Sequence, residues 1–518
     1  MRFALTTLGR VVRLSGLVCL TVAALFLTCA SPWAQEAVRG TQVRMASGVG
    51  FSTFDPVLAT PPTVDYLRPA YDTLVSRRGI DRFEPGLATA WAFSDGNRKL
   101  VLTLREGVRF TDGTPFDATA VKLNLERGRE VKGSPWAAVY RGIEQINVLA
   151  PHKIELQLSR PNAALIEYFA NNPGMMVSPL ALKDVASLAR QPAGTGGWRL
   201  DPKRTVHGDR YVFERREGYW NPKAQGVDTV VIQQMTEATA RINALRSGQV
   251  DIVTVPQDQA AALEKLGFKI SAANKVYYLL SVWDSRGTVV KPLANPKVRQ
   301  AVSLAINRDA VLKAIFGGRG TAGLNFFPAG TGGYSEVLGK LRTYDPAMAR
   351  KLLAEAGYPD GFQVDAVVVA NNARFASAVA GELTKVGIRV NLKTMPDTGS
   401  YQAAVAHRQS PLGIFAHQTA MPATLYASLL SAEGRYNPFG VEYADLDALA
   451  RIAAESQEPK ASQQYGLLFG RMVAEDAVVF PVVHVELLTA SARGVDVGPI
   501  TFASAGLPDP RSVSVTRK

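Results

Sequence analysis

Cysteine is almost missing from this sequence. Among 518 residues only Cys19 and Cys29 are cysteine, and both lie in a leader that export would remove, which leaves no disulfide, thiolate ligand or cysteine nucleophile. Stability in an oxidising compartment must then come from the core. Histidine is scarce as well: the five are His152, His207, His407, His417 and His484, and no two stand at a ligand spacing such as i, i+4, so no metal or other cofactor is expected. No G-x-S-x-G and no H-E-x-x-H occurs, which removes the local signatures of serine and zinc hydrolases. An exported hydrolase whose groups assemble only in space stays open as an alternative. Beyond residue 30 no apolar run approaches membrane-spanning length. Acids are outnumbered, 45 against 58 Lys and Arg for a formal charge of +13.

That excess of bases does not read as a nucleic-acid surface. A nucleic-acid binder concentrates charge in a stripe with interleaved aromatics, whereas here Lys and Arg are dispersed. The densest group, Lys203, Arg204, His207, Arg210, Arg215 and Arg216, is interrupted by Asp209 and Glu214 and reads as a solvated face. No nucleic-acid partner is expected.

Residues 1–34 read as an export signal. Arg2, Arg10 and Arg13 precede an acid-free apolar run over 14–30 that ends on a small residue, the pattern of a cleavable leader. Processing is expected after Ala30 or Ala34. Phe26, Leu27 and Thr28 before Cys29 are too bulky for a lipoprotein site, so a soluble exported protein is expected; for the alternative, a retained anchor, the run is short.

At this length two or three lobes are expected, and from about Thr41 short apolar strands alternate with helices, an α/β pattern. K-L-V-L-T-L (Lys99–Leu104) alternates like a half-buried strand. In R-E-G-V-R-F-T-D-G-T-P-F (105–116), Glu106-Gly107 and Asp112-Gly113 are turns on either side of a resumed strand over 108–110. With no nucleophile, histidine or apolar pocket nearby to separate their pKa values, the two acids read as punctuation and not as a catalytic pair. Asp117 is placed to cap a helix ending near Gly128, and Thr236 one that ends before Gly248, with a strand at 251–255. Asn295-Pro296 and Asp345-Pro346 each pair a cap with a proline in the first turn. A further helix is expected over 375–386, with a strand over 388–392.

Taken in order, several stretches resemble the extracytoplasmic solute-binding proteins of ABC importers, in the large peptide/nickel-type family 5: Y-D-T-L-V (71–75), E-P-G-L-A-T-A-W (84–91), L-R-E-G-V-R-F-T-D-G-T-P-F (104–116), G-T-G-G-W (194–198), E-G-Y-W (217–220), S-G-Q-V-D-I (247–252), V-R-Q-A-V-S-L-A-I-N-R (298–308) and Y-D-P-A-M-A-R-K-L-L-A-E-A-G-Y-P (344–359). The resemblance implies a two-lobe α/β periplasmic-binding-protein fold, type II-like, with an extra N-terminal subdomain and a hinge. It places lobe I at 38–275, lobe II at 276–480 and a segment completing lobe I at 481–518. It further implies a periplasmic, monomeric, non-enzymatic protein that closes on a small peptide-like or other polar solute and delivers it to an inner-membrane ABC permease. The same clamshell serving as a chaperone or sensor, uncoupled from transport, is the other reading.

By the same resemblance the cleft-facing segments are 51–56, 277–283, 370–372, 413–422 and 436–439. The ligand-binding candidates are Phe54, Trp283, Asn371, Phe415, His417, Gln418, Tyr436 and Asn437. One departure stands out: peptide-binding relatives commonly place an acid within the segment matching 413–422, where it pairs with the ligand's terminal ammonium. Here that segment holds none, and Gln418 takes the position. A buried ammonium without a partner is costly, so a ligand lacking a free α-amine at this point is expected. Val282-Trp283 likewise stands where the family's strand often ends in Asn.

Overall fold

In the computed structural model, which describes residues 41–78, 82–341, 343–418, 420–456, 458–498 and 506–516, β1 (Gln42–Ser47) turns Val43 and Met45 into one core and Ala46 into another. The expected leader, with Cys19 and Cys29, lies outside the described residues. Next come β2 (Ala88–Ser94), β3 (Lys99–Leu104), β4 (Ile143–Ala150) and β5 (Lys153–Leu158), a separate antiparallel sheet in the order β2-β3-β5-β4. β3 buries Leu100, Leu102 and Leu104 on one face, as alternation requires. Their core is shared by α1 (Ala118–Glu130) and α2 (Leu165–Phe169).

The large sheet continues through β6 (Trp198–Leu200), β7 (Arg210–Arg215), β8 (Thr229–Gln234), β9 (Ile252–Val255) and β10 (Lys269–Val282). It is completed by β11 (Phe362–Val369), β12 (Ile388–Met395), β13 (Leu412–Gln418) and β14 (Val479–Ser491). Its order is β12-β11-β13-β10-β14-β9-β1-β8-β7-β6. Parallel strands are joined by helices: α3 (Ala238–Arg246) between β8 and β9, which flank β1, α7 (Ala373–Thr384) between the neighbours β11 and β12, and α8 (Thr398–Ala406) between β12 and β13, which flank β11. Also in chain order are α4 (Gln257–Lys265), α5 (Pro296–Ala305), α6 (Pro346–Glu355), α9 (Pro422–Leu429) and α10 (Ala444–Glu455).

β10 and β14 decide the architecture. Their antiparallel ladder shifts register between Ala272 and Lys275. Before the shift, 269–272 pairs with 488–491, where β14 also meets β9; after it, 276–282 pairs with β13. The same two strands thus leave one core and enter another. One core collects side chains from Val276 to Val485, while others collect residues from Val43 to Val513. This is the two-lobe α/β fold, and the four-stranded sheet is its extra subdomain. The chain end is tied to the first lobe: Arg511 meets Asp72 and Asp509 at 2.6 Å each, and Asp72 also accepts from Tyr219, Trp220 and Thr195.

Local signals mostly land where their chemistry puts them. Asp117, Asn295 and Asp345 each accept a backbone N–H at the start of α1, α5 and α6. Three details differ. Helix α1 runs past Gly128 to Glu130, because Gly128 faces the Tyr140 ring, 2.4 Å from where a Cβ would stand. Helix α3 begins at Ala238 without a side-chain cap from Thr236; Arg241 instead donates to the Met235 and Thr236 carbonyls at 2.6 and 2.7 Å. Residues 108–110 form no ladder, only an isolated bridge between Arg109 and Pro115.

Candidate functional site

Ligands of open α/β sheets bind beyond the carboxyl ends of the parallel strands, and here two such edges exist. In one lobe β11, β12 and β13 run parallel and end at the turn 370–372 and at the starts of α8 and α9. In the other, β1, β8 and β9 run parallel and end at the loop 48–55 and the starts of α3 and α4. Contacts between the lobes show that these edges face each other: Arg374 at the start of α7 lies 3.9 Å from Asp258 at the start of α4. Beside them the Glu167 carboxylate of α2 accepts from the Met421 amide (3.1 Å) and from Thr424 Oγ1 (2.5 Å) at the start of α9.

Along β13 the aromatic candidates form one row, from Trp283 beside its amino end to His417 near its carboxyl edge. Gly413 has no Cβ because the Trp283 indole lies across it, with Cζ2 only 2.1 Å from the position a Cβ would take. Trp283 packs 6.1 Å from Phe415, and Phe415 stacks on Tyr436 at 4.3 Å and 14°. His417 meets the same Tyr436 edge-on at 5.7 Å, and the Arg435 guanidinium lies 5.6 Å from its centroid. Trp283 and Phe415 are buried, Tyr436 is half-buried, and Trp283 Nε1 has no hydrogen-bond partner. Tyr401 on α8, also buried with an unpartnered hydroxyl, has its pKa pushed up by burial and then by Tyr436 nearby.

His417 is fully engaged. Its Nδ1 is 2.7 Å from the Gln418 carbonyl, which can only accept, so Nδ1 carries the proton; Nε2, 3.1 Å away, then accepts from the Ser428 hydroxyl. Burial pushes its pKa down to about 4, so the ring is neutral near pH 7. With both nitrogens occupied, His417 has no lone pair left for a metal. Among the described residues no group of three potential ligands is arranged to hold one.

The remaining candidates are placed differently. Gln418 is exposed at the end of β13, and Asn371 is exposed in the turn 370–372, which packs against β13. Asn437, though adjacent to Tyr436, is buried and spends its amide on the Leu430, Ser431 and Val441 carbonyls and the Val441 N–H. Phe54 lies apart, fully buried among Phe51, Tyr211 and Phe213 in the other lobe. In that lobe it is Phe51, half-buried with its amide on Gln234 Oε1 at 3.0 Å, that stands nearer the surface. The residues missed by sequence reasoning are Glu167, its ion-pair partner Arg77 at 2.6 Å, Thr424, Tyr401 and Arg435. None sits in a motif; Glu167 meets Met421 across 254 positions.

Comparison with known proteins agrees with the two-lobe fold. A family model described as bacterial extracellular solute-binding proteins, family 5 Middle, matches residues 82–436. The glutathione-binding protein GsiB of Escherichia coli O1:K1 / APEC is 31% identical over 407 residues, 77% of this chain and 77% of that protein. Among solved structures, AgaA of A. tumefaciens R10 in complex with agropinic acid superposes with a TM-score of 0.77 at 23% identity, over 92% of this chain and 99% of that one. DppA of Helicobacter pylori in complex with the peptide STSA gives 0.77 at 22% identity, over 92% and 98%.

Proposed function

The chain belongs to family 5 of the bacterial extracellular solute-binding proteins, and from that premise we propose that a peptide-like solute is held between the two facing carboxyl edges. Members of this family are periplasmic, and the chain is the solute-binding component of an ABC importer, not an enzyme. In this reading it acts as a monomer after loss of residues 1–34. Lobe I (38–275 with 481–518) and lobe II (276–480) move about the register shift in β10. Gln418 and Asn371 offer polar contacts, and Phe415, Tyr436 and His417 form a stiff wall behind them, with Trp283 buttressing Phe415 from the amino end of β13. A micromolar grip needs only about −8 kcal/mol net, so a few hydrogen bonds and partial stacking suffice.

The absence of an acid on the β13 edge favours a particular ligand class. Residues 413–418 and 420–422 carry no carboxylate, and Glu167, brought to the start of α9, is already shared among Arg77, Met421 and Thr424. A ligand ammonium seated against β13 would be desolvated without a free counter-charge on that strand. We therefore favour a peptide-like solute whose α-amine is blocked or modified. Titration calorimetry should find N-acetylated glutathione, or an acetylated dipeptide, bound at least as tightly as its free-amine parent. Tight binding of the free amines that acetylation abolishes would sink this ligand class. Mass spectrometry of whatever co-purifies with the folded protein would name the solute.

A further inference from the structure

We propose that the extra subdomain is a two-point clasp: Glu167 and Asn97 close the jaws by capping opposite ends of two helices in the other lobe. The first point is the start of α9. Pro422 has no N–H, and the Met421 amide before it finds its acceptor in both Glu167 oxygens at 3.1 Å, while Thr424 donates its hydroxyl to the same carboxylate at 2.5 Å. The second point is the end of α10. Asn97 Nδ2 donates to the Ala454 carbonyl at 2.7 Å and lies 3.4 Å from that of Ser456. Carbonyls in the last turn of a helix have no intrahelical partner. A carboxylate thus faces a helix start and an N–H donor faces a helix end, the polarity each terminus prefers.

Both groups are built for the task. Glu167 and Arg77 are almost completely buried, at 5% and 4% side-chain exposure. A buried ion pair is tolerated only when its remaining lone pairs are satisfied, and here Met421 and Thr424, across the cleft, do that. Asn97 ends a β2–β3 turn in which Asp95, Gly96 and Asn97 have φ of 52°, 55° and 62°. Asp, Gly and Asn are the residues that take up left-handed backbone readily, and the turn they form drives the Asn97 amide into the α10 terminus. Opening the cleft would return the Glu167–Arg77 pair to water and free both helix ends, so the contacts tilt the open–closed balance whether or not solute is present.

This inference rests on the clamshell reading above, but its test needs no ligand. The whole chain is stripped of solute by unfolding and refolding, then compared as wild type, Glu167→Gln, Thr424→Val and Asn97→Gly. Thr424→Val leaves the Arg77 pair intact, and Asn97→Gly keeps the left-handed turn, so at least these two should fold. Amide exchange in the peptide containing Met421 should accelerate about tenfold in Glu167→Gln, the factor for one net hydrogen bond. The radius of gyration should rise in all three variants. Unchanged exchange and unchanged scattering in every folded variant would overturn the clasp. If glutathione and its acetylated form fail to compact the wild type, the ligand class falls; the clasp still stands or falls on the solute-free comparison.

Discussion

His417 carries the clearest chemical consequence at the scale of one residue. Its folded pKa, pushed down to about 4 by burial, with the Gln418 carbonyl opposing the shift and Arg435 adding to it, lies below the ordinary imidazole value near 6.5. The unfolded chain therefore takes up a proton first. Above about pH 6.5 neither state is charged and the group costs nothing; as pH falls from there towards 4, stability is lost progressively, on the order of 2–3 kcal/mol in full. Urea unfolding of wild type and His417→Gln between pH 7.5 and 4.5 measures this: the wild type should lose more stability on acidification, and parallel pH profiles would contradict it. The same residue shows what a sequence conveys about a site. The segment 413–418 was expected to face the cleft, but nothing in it reveals that both imidazole nitrogens are spent on Gln418 and Ser428. Phe54 and Asn437 carried ligand-like chemistry in segments expected to face the cleft, yet packing and backbone bonds absorb them. Glu167 had no signal because its partners are brought to it only by tertiary structure.

Among the elements, short-range rules were legible wherever the partners lie within one turn of the chain. Asp117, Asn295 and Asp345 reach amides two or three residues on, so residue type and spacing suffice to place them. Gly128 and Thr236 misled for the opposite reason, since the outcome there depends on Tyr140 and on buried Arg241, neither of which is fixed by the cap pattern. Asp117→Ala should remove the bond its carboxylate accepts from Ala120 (2.8 Å) and destabilise α1 by about 1 kcal/mol. The helix packs in the subdomain core, and its Arg127–Asp55 ion pair with the loop 48–55 lies in its last turn, away from the cap, so solute affinity should stay as it was. A lower denaturation midpoint with unaltered binding is the expected result. An unchanged midpoint would mean that another group satisfies the Ala120 amide when the cap is lost.

The whole molecule is governed by β10 and β14, the strands common to both lobes. The order of the family's motifs conveyed that two lobes exist. The route between them was less visible, because it depends on pairing strands about two hundred residues apart with a register shift at Ala272–Lys275. Two cores joined through a shared ladder and a few side-chain contacts can lose cooperativity, and a solute gripped by both edges, as proposed, would restore it. A ligand that binds only the native state adds about 2.7 kcal/mol at a hundredfold excess over its Kd. Removing the co-purified solute should therefore lower the melting temperature by several degrees and broaden the transition, with the subdomain-bearing lobe and the β13 lobe beginning to melt separately. Adding the solute back should merge and raise the transition in proportion to the logarithm of its concentration. A melting temperature indifferent to stripping and to every peptide-like solute supplied would mean that the facing edges do not share a guest, and that the closed arrangement is held by Glu167, Asn97 and the hinge strands alone.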